Sequence, residues 1–478
     1  MSVLNKIINK NTGKRVIYLR SCTVYDIYLL MLIKTLKENG YKIIIEIPTA
    51  TFVNEYLKEF KKGRFSKSTS MRSDCMKIVH ISQYYNDGYG YQENLLPYYQ
   101  KLLGHEVVHI TSDRMSAFVN NKARIIGVKE YVEETGVRLI RLPIKWEFKG
   151  RFVVFNGLYE MLEREKPDYI FHHGLTCPSL IECAKYKKRY PSTFLVADNH
   201  ADLVISGRNK LWLKVYYEIT WRYLLKYAVN YVDIVFGVTP LRCLFPVKFL
   251  GIPEKKVRLL PIGADVLNVP KENRDDIRRK YDISTEKLIF VTGGKITPEK
   301  QMSRILDAFS LLENHSTQLL VFGRVQDKEF EEKMKKLPNV KFMGWANRYK
   351  TLEILKLSDV AVWNSQHTTL IEDAVATCTP LILRYYGTTA HFIDGNGFYL
   401  YSNSIKELYE KMSIIANNEE ILQKFREKAK EIMKILSYEN IAKESIEYYY
   451  DQQPKAIHNK FMNEKYLDFQ YQYFEKIH

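Results

Sequence analysis

Two lysines, Lys295 and Lys300, stand on either side of a turn, Gly293-Gly-Lys-Ile-Thr-Pro-Glu-Lys300. The turn follows an apolar strand pattern. Thr297 reads as a helix N-cap and Pro298 as the first helical residue. A cation in a helix's first turn opposes the positive end of the helix dipole. Lys300 makes sense there if an anion is shared between the helix end and both lysines, and a diphosphate is the natural candidate. Two solvated lysines in a Lys-rich protein are the plainer alternative, and Gly293-Gly294 before them favours the anion. A second stretch runs Val360-Ala-Val-Trp-Asn-Ser-Gln-His-Thr-Thr-Leu-Ile-Glu372. Thr369-x-x-Glu372 matches a capping box, which would give Glu372 only a backbone donor to satisfy. The same carboxylate at a cleft would bind paired sugar hydroxyls, and the residues alone leave both readings open. Backbone N–H groups of Thr368, Thr369 and Leu370 offer another anion site. His200 follows a buried strand, among Asp198, Asn199 and Asp202, which raises its standing above that of a lone structural histidine. Gly88 and Gly90, in the loop Asn86 to Gly90, allow close approach of backbone to a ligand or simply form a tight turn. There is no Asp-x-Asp motif and no His/Cys cluster with metal spacing. Lysines and helix dipoles must then balance a departing diphosphate.

These residues need strand ends to carry them. Strand-like and helix-like segments alternate along the chain, the pattern of parallel sheets covered by helices. One opening is strand Met76 to Ser82, helix Gln92 to Leu103 with Leu95, Tyr99 and Leu102 on one face, and strand Glu106 to Thr111. A second is strand Lys287 to Thr292 and a helix with Met302, Ile305, Leu306 and Phe309 buried. Strands Leu319 to Phe322, Asn339 to Phe342 and Val360 to Trp363 come next. The expected fold is α/β, two Rossmann-like domains over 76–268 and 269–435 facing each other across a cleft, with a crossover helix and tail over 436–478. Ligands in such folds bind at the carboxyl ends of the strands. Residues 1–75 read as an additional βαβ unit, with strands Arg15 to Arg20 and Tyr41 to Ile47, too small to be stable alone. It lays weakly against Pro167 to Asn199. A truncated copy of a second such domain and an ordinary α/β extension explain that equally well.

Composition narrows the setting. The chain has 478 residues, 46% hydrophobic and 27% charged, enough for a real core. Its six cysteines are scattered without a Cys-x-x-Cys pair, which fits a reducing compartment. The sequence shows no signal peptide and no apolar run of 18 residues, so the expectation is a cytoplasmic protein. A formal charge of +17 points to an acidic partner. With no nucleic-acid motif present, a phosphate-rich substrate or a membrane surface is preferred to nucleic acid. The basic-aromatic segment Leu211 to Tyr231 is either a surface-seeking helix or a packed one with snorkelling cations.

Taken together and in order, these stretches resemble the family-4 retaining glycosyltransferases of bacterial surface-polysaccharide pathways, over about 76–450. His80-Ile-Ser-Gln-Tyr-Tyr-Asn-Asp-Gly-Tyr-Gly90 and Gly104-His-Glu-Val107 look like that family's opening loop and following strand. Pro167-Asp-Tyr-Ile-Phe-His-His173, Leu260-Pro-Ile-Gly-Ala-Asp265 and Asn339-Val-Lys-Phe-Met-Gly344 resemble further elements. The resemblance implies that His200 is the active-site histidine, that Gly294, Lys295 and Lys300 hold the donor diphosphate, that Glu372 holds the ribose, and that Trp345 lies near the base. Lys295 replaces an arginine, keeping charge but losing the bidentate fork. Asn364 stands where the family has the first of two glutamates; it can bond a sugar hydroxyl but brings no negative charge. The resemblance further implies a retaining, metal-independent transfer of a sugar from a nucleotide-diphosphate donor to a glycan or polyprenyl-linked acceptor. It implies no cofactor, a role in polysaccharide biosynthesis, and peripheral contact at the inner face of the plasma membrane. A sugar-nucleotide epimerase or phosphorylase on the same architecture, and a non-catalytic nucleotide-sugar binder, remain as alternatives.

Overall fold

The computed structural model describes residues 16–20, 42–46, 75–116, 124–148, 150, 152–207, 209–312 and 316–450. The chain separates into two compact units, Met1–Asp74 and Cys75–His478. In the first, strands β1 (Val16–Arg20) and β2 (Lys42–Glu46) pair in parallel, Val16 opposite Lys42. The helices expected at 26–38 and 52–61, and the tail after 450, lie outside the described residues.

The second unit holds two large sheets. The first is built from β3 (Lys77–Ile81), β4 (Glu106–Ser112), β5 (Lys129–Val132) and β6 (Arg138–Leu142), then β9 (Tyr169–His172), β10 (Phe194–Asn199), β11 (Ile234–Gly237) and β12 (Val257–Leu259). A two-stranded hairpin, β7 (Ile144–Phe148) and β8 (Phe152–Phe155), stands apart from it. The sheet order is β12-β11-β10-β9-β3-β4-β6-β5, parallel except for the edge strand β5. Alternate residues feed different cores, as the pleat requires. Val79, Ile81 and Ile170 join one cluster, and Ile78, Tyr169 and Phe171 the other. Helix Gln92–Leu102 buries Leu95, Leu96 and Tyr99, while Leu102, expected on that face, is exposed. Leu96, one position round the helix, takes the inward place.

The second sheet runs β15 (Val340–Phe342), β14 (Thr317–Val325), β13 (Leu288–Ile296), β16 (Val360–Trp363), β17 (Leu381–Arg384) and β18 (Gly397–Leu400), all parallel. β13 does not stop at the double glycine. It continues to Ile296, paired with β14 as far as Ile296 opposite Val325. Glycines make this possible: a Cβ on Gly323 would lie 2.2 Å from the carbonyl oxygen of Gly294. The chain then returns to the first sheet. Helix Tyr438–Glu447 places Tyr438, Ile441, Ala442 and Ile446 in the same cluster as Ile78, Leu95 and Tyr99. Gly263 makes room for it, since a Cβ there would sit 2.5 Å from the Tyr438 ring.

The segment Leu211 to Tyr231 is helical but not uniform. Lys210–Trp212 leads into a π-helical stretch, Leu213–Trp221, followed by Arg222–Ala228. Among the described residues no helix is long and apolar enough to cross a membrane.

Candidate active-site cleft

A cleft of about 680 Å³ opens at the carboxyl ends of the strands of the first sheet and is closed on its other side by residues 348–373. Its chemistry on the first-sheet side centres on Asp198, the penultimate residue of β10, which is fully buried. Oδ1 accepts the Gly174 backbone N–H at 2.6 Å, and Oδ2 lies 3.2 Å from both His173 Nδ1 and His200 Nε2. Burial works to raise the Asp198 carboxyl, but the His200 charge and the His173 bond outweigh it and hold the group far below the usual carboxylate range. Behind His173 the bonds continue: Nε2 lies 2.9 Å from His80 Nδ1, and His80 Nε2 lies 2.6 Å from Gln100 Oε1. Gln100 in turn donates to Ser445 on the returning helix at 2.8 Å. Burial, with the neighbouring His173, holds His80 well below the ordinary histidine range. His200 is therefore aimed by a fixed carboxylate that is itself braced across the domain.

On the opposite side, Glu372 is buried and bonded to His367 Nε2 at 2.7 Å, and its other oxygen has no partner among the described residues. The capping box does not form. Thr369 is already helical (φ −60°, ψ −11°) and makes no side-chain cap, so the carboxyl is released toward the cleft. Arg348 joins the two sides, donating to Asp373 at 3.0 Å and to Asp265 at 3.1 Å. Tyr99 also donates to Asp265 at 2.8 Å. Burial first, then Glu372, lifts the Asp373 carboxyl to about 6 against the pull of Arg348.

Of the residues singled out in the sequence, His200, Glu372, Gly90 and Thr369 line the cleft. A Cβ on Gly90 would lie 2.9 Å from the Arg348 guanidinium, which would have to shift; Gly88 meets nothing within 4 Å. Thr368, Leu370, Gly294 and Asn364 do not line it. Gly294 approaches the Leu370 side chain, and its φ of +107° suits glycine alone. Asn364 faces the other way: its Nδ2 donates to the Gln301 carbonyl at 3.0 Å and to Asn403 at 2.9 Å. Trp345 is 72% exposed and outside the cleft.

Lys295 is exposed near the end of β13 and Lys300 is half-buried in the turn after it; neither lines the cleft. Lys300 is not in the first turn of an α-helix as expected. Residues Pro298–Lys300 make a single 3₁₀ turn, Gln301 is left-handed (φ +51°), and the α-helix begins at Ser303. The Asn364 amide on the Gln301 carbonyl helps hold that break. Thr297 is extended but caps nothing with its side chain. Burial, with Lys295 close by, lowers the Lys300 ammonium below its usual range. Neither lysine has a salt bridge among the described residues.

Residues 273–432 match the family model described as "Glycosyl transferases group 1". No curated protein matches the chain. Among solved structures the chain is similar to Anabaena HepE in complex with UDP and glucose, at 14% identity and a TM-score of 0.57, covering 79% of this chain and 100% of that one. It is also similar to a glycosyltransferase from Rickettsia africae, at 15% identity and 0.57, covering 79% and 98%. A third is WaaG, a glycosyltransferase involved in lipopolysaccharide biosynthesis, at 16% identity and 0.52, covering 78% and 99%. The fold is thus GT-B, two Rossmann-like domains with the cleft between them. Sequence reasoning singles out His200 but not the residues that fix it, His173 and His80. It also misses Arg348, which comes to the cleft from a helix with no motif of its own. The signal available is Pro167-Asp-Tyr-Ile-Phe-His-His173, a strand ending in two histidines.

Proposed function

We propose that the protein transfers a sugar from a nucleotide-diphosphate donor to a hydroxyl of a glycan or polyprenyl-linked acceptor, with retention at the anomeric carbon. The observation that carries this reading is the Lys295–Lys300 couple, which makes no salt bridge among the described residues and lies in the stretch that matches the group 1 glycosyltransferase model. Two close cations that make no salt bridge favour an anion, and a diphosphate supplies two charges. As the sugar leaves, the lysines take up the charge growing on the diphosphate. Glu372, with one oxygen held by His367 and the other free, accepts hydrogen bonds from the ribose hydroxyls. His200, aimed by Asp198, sits beside the reacting ring. Arg348, with partners on both sides of the cleft, keeps it closed to water. The lysine couple performs the charge neutralisation.

The acceptor reading has its own support. Leu211, Val215, Ile219 and Tyr223 form an exposed row at four-residue spacing, with Lys214, Arg222 and Lys226 also exposed beside it. Trp146 and Phe148 on β7 stack on one another, also exposed. An apolar row flanked by cations suits the face of an anionic bilayer, where a polyprenyl-linked acceptor resides.

The test is binding and slow hydrolysis of a panel of nucleotide sugars without added metal, UDP-glucose first, by wild type and Glu372→Ala. One donor turned over by the wild type, with KM raised about tenfold or more in the variant, is expected. A panel that yields no bound donor contradicts the reading.

A further inference from the structure

Part of the cleft consists of polar groups with nothing to bind. Gln92 is 4% exposed, and neither atom of its amide has a hydrogen-bond partner among the described residues. The Tyr438 hydroxyl, on a residue 1% exposed, is in the same position, as is one oxygen of Glu372. All three residues line the cleft, with Glu93 beside Gln92. A buried polar atom left unpaired costs about 1–3 kcal/mol. Native structures keep few of them, and those they keep ask for a missing partner. Here they come from three separate segments, the start of helix Gln92–Leu102, the start of helix Leu370–Ala376 and the returning helix at Tyr438, and they meet at one cavity.

The charges around that cavity define the partner. Every cationic or potentially cationic side chain lining it is matched. His173 and His200 share Asp198, Arg242 pairs with Asp202 at 3.0 Å, Arg348 with Asp265 and Asp373, and His367 with Glu372. Glu93 has no ion pair among the described residues. Burial raises its carboxyl above the usual range, against the pull of His173 and His200. The cavity thus offers acceptors, one amide and one phenol, and no free cation among the described residues.

We propose that Gln92, Glu93 and Tyr438 form a subsite for an uncharged, polyhydroxylated sugar ring and reject a ring that carries a carboxylate. The inference rests on the transferase reading and adds the charge class of the sugar. Ring hydroxyls donate to Glu93 and to the free Glu372 oxygen, and they both donate to and accept from the Gln92 amide and the Tyr438 hydroxyl. A uronate places a second carboxyl beside Glu93, where burial already disfavours the charged form and every lining cation has its own carboxylate, so the two cannot both carry charge. The ring belongs either to the donor or to the acceptor; the chemistry that recognises it is the same.

The experiment uses the full chain and calorimetric titration. UDP, UDP-glucose and UDP-glucuronate form one arm, and GDP, GDP-mannose and GDP-mannuronate run in parallel. Oligosaccharides ending in glucose or in glucuronate form the other arm. The expected result is a neutral ligand bound at least about tenfold more tightly than its uronate in one arm, narrowed to less than about threefold by Glu93→Gln. Discrimination in the nucleotide arm assigns the ring to the donor, and discrimination only among oligosaccharides assigns it to the acceptor. Equal binding of neutral and uronate ligands in both arms overturns the proposal, as does a ratio that Glu93→Gln leaves unchanged. The wild-type ratio needs no variant to fold. Loss of the transferase reading shows separately, as free UDP and GDP that do not bind while the oligosaccharide ratio persists.

Discussion

Among the described residues lining the cleft, each cation has a carboxylate: Asp198 serves His173 and His200, Asp202 serves Arg242, and Asp265 serves Arg348. Near the end of β13, Lys295 and Lys300 lie close together and make no salt bridge among the described residues, although the exposed Glu299 carboxylate interacts with Lys295. A paired buried charge is part of the fold, and removing its partner strands the other half. A cation without a salt bridge contributes nothing to folding and is available to a ligand. The difference separates residues that hold the site's shape from residues that hold the substrate's charge, although both groups are polar and lie near one cleft.

The sharpest way to break this division is Asp198→Asn. It leaves two histidine nitrogens facing an amide and should cost about 3 kcal/mol of stability, read as a fall in chemical-denaturation midpoint along with loss of activity. A midpoint unchanged within error would show that Asp198 does not hold the fold. A smaller effect tests the charge environment of Asp373. Its folded carboxyl titrates at about 6, above the value of an unfolded aspartate, so the folded state binds the extra proton between about pH 4 and pH 6. The Asp373 contribution should therefore fall as pH rises through that window, by about 2 to 3 kcal/mol, read as the difference between the wild-type profile and that of Asp373→Asn. A difference that rises there instead would contradict the placement. Smaller again, Lys295→Arg should tighten nucleoside diphosphate binding by a few-fold, because a planar fork replaces a point charge. Weakened binding would show that the turn is shaped for lysine.

The parallel order of the sheets and the position of His200 and Glu372 after strands are legible in the sequence, because apolar runs and the polar loops behind them mark strand ends directly. Lys295 and Lys300 are legible as a pair but not in their setting. The left-handed Gln301 and the Asn364 amide that holds its carbonyl break the helix that Thr297 and Pro298 announce, and Asn364 stands 63 residues from Gln301. Leu102 is placed wrongly by periodicity because a helical pattern alone admits two adjacent faces, and packing chose Leu96. Arg348 carries no local signal, and Tyr438 shows only as part of the crossover helix expected from residue 436. Each matters because the chain crosses between domains, bringing Tyr438 to Gly263 and Arg348 to Gly90.

The most direct measurement is calorimetric titration of UDP and GDP, without added metal, against wild type and Lys300→Ala. The variant should keep the wild-type thermal midpoint while losing about tenfold to a hundredfold in affinity for whichever diphosphate binds. Equal affinity in the two proteins, or no affinity in the wild type, would contradict the claim that Lys295 and Lys300 hold the donor diphosphate.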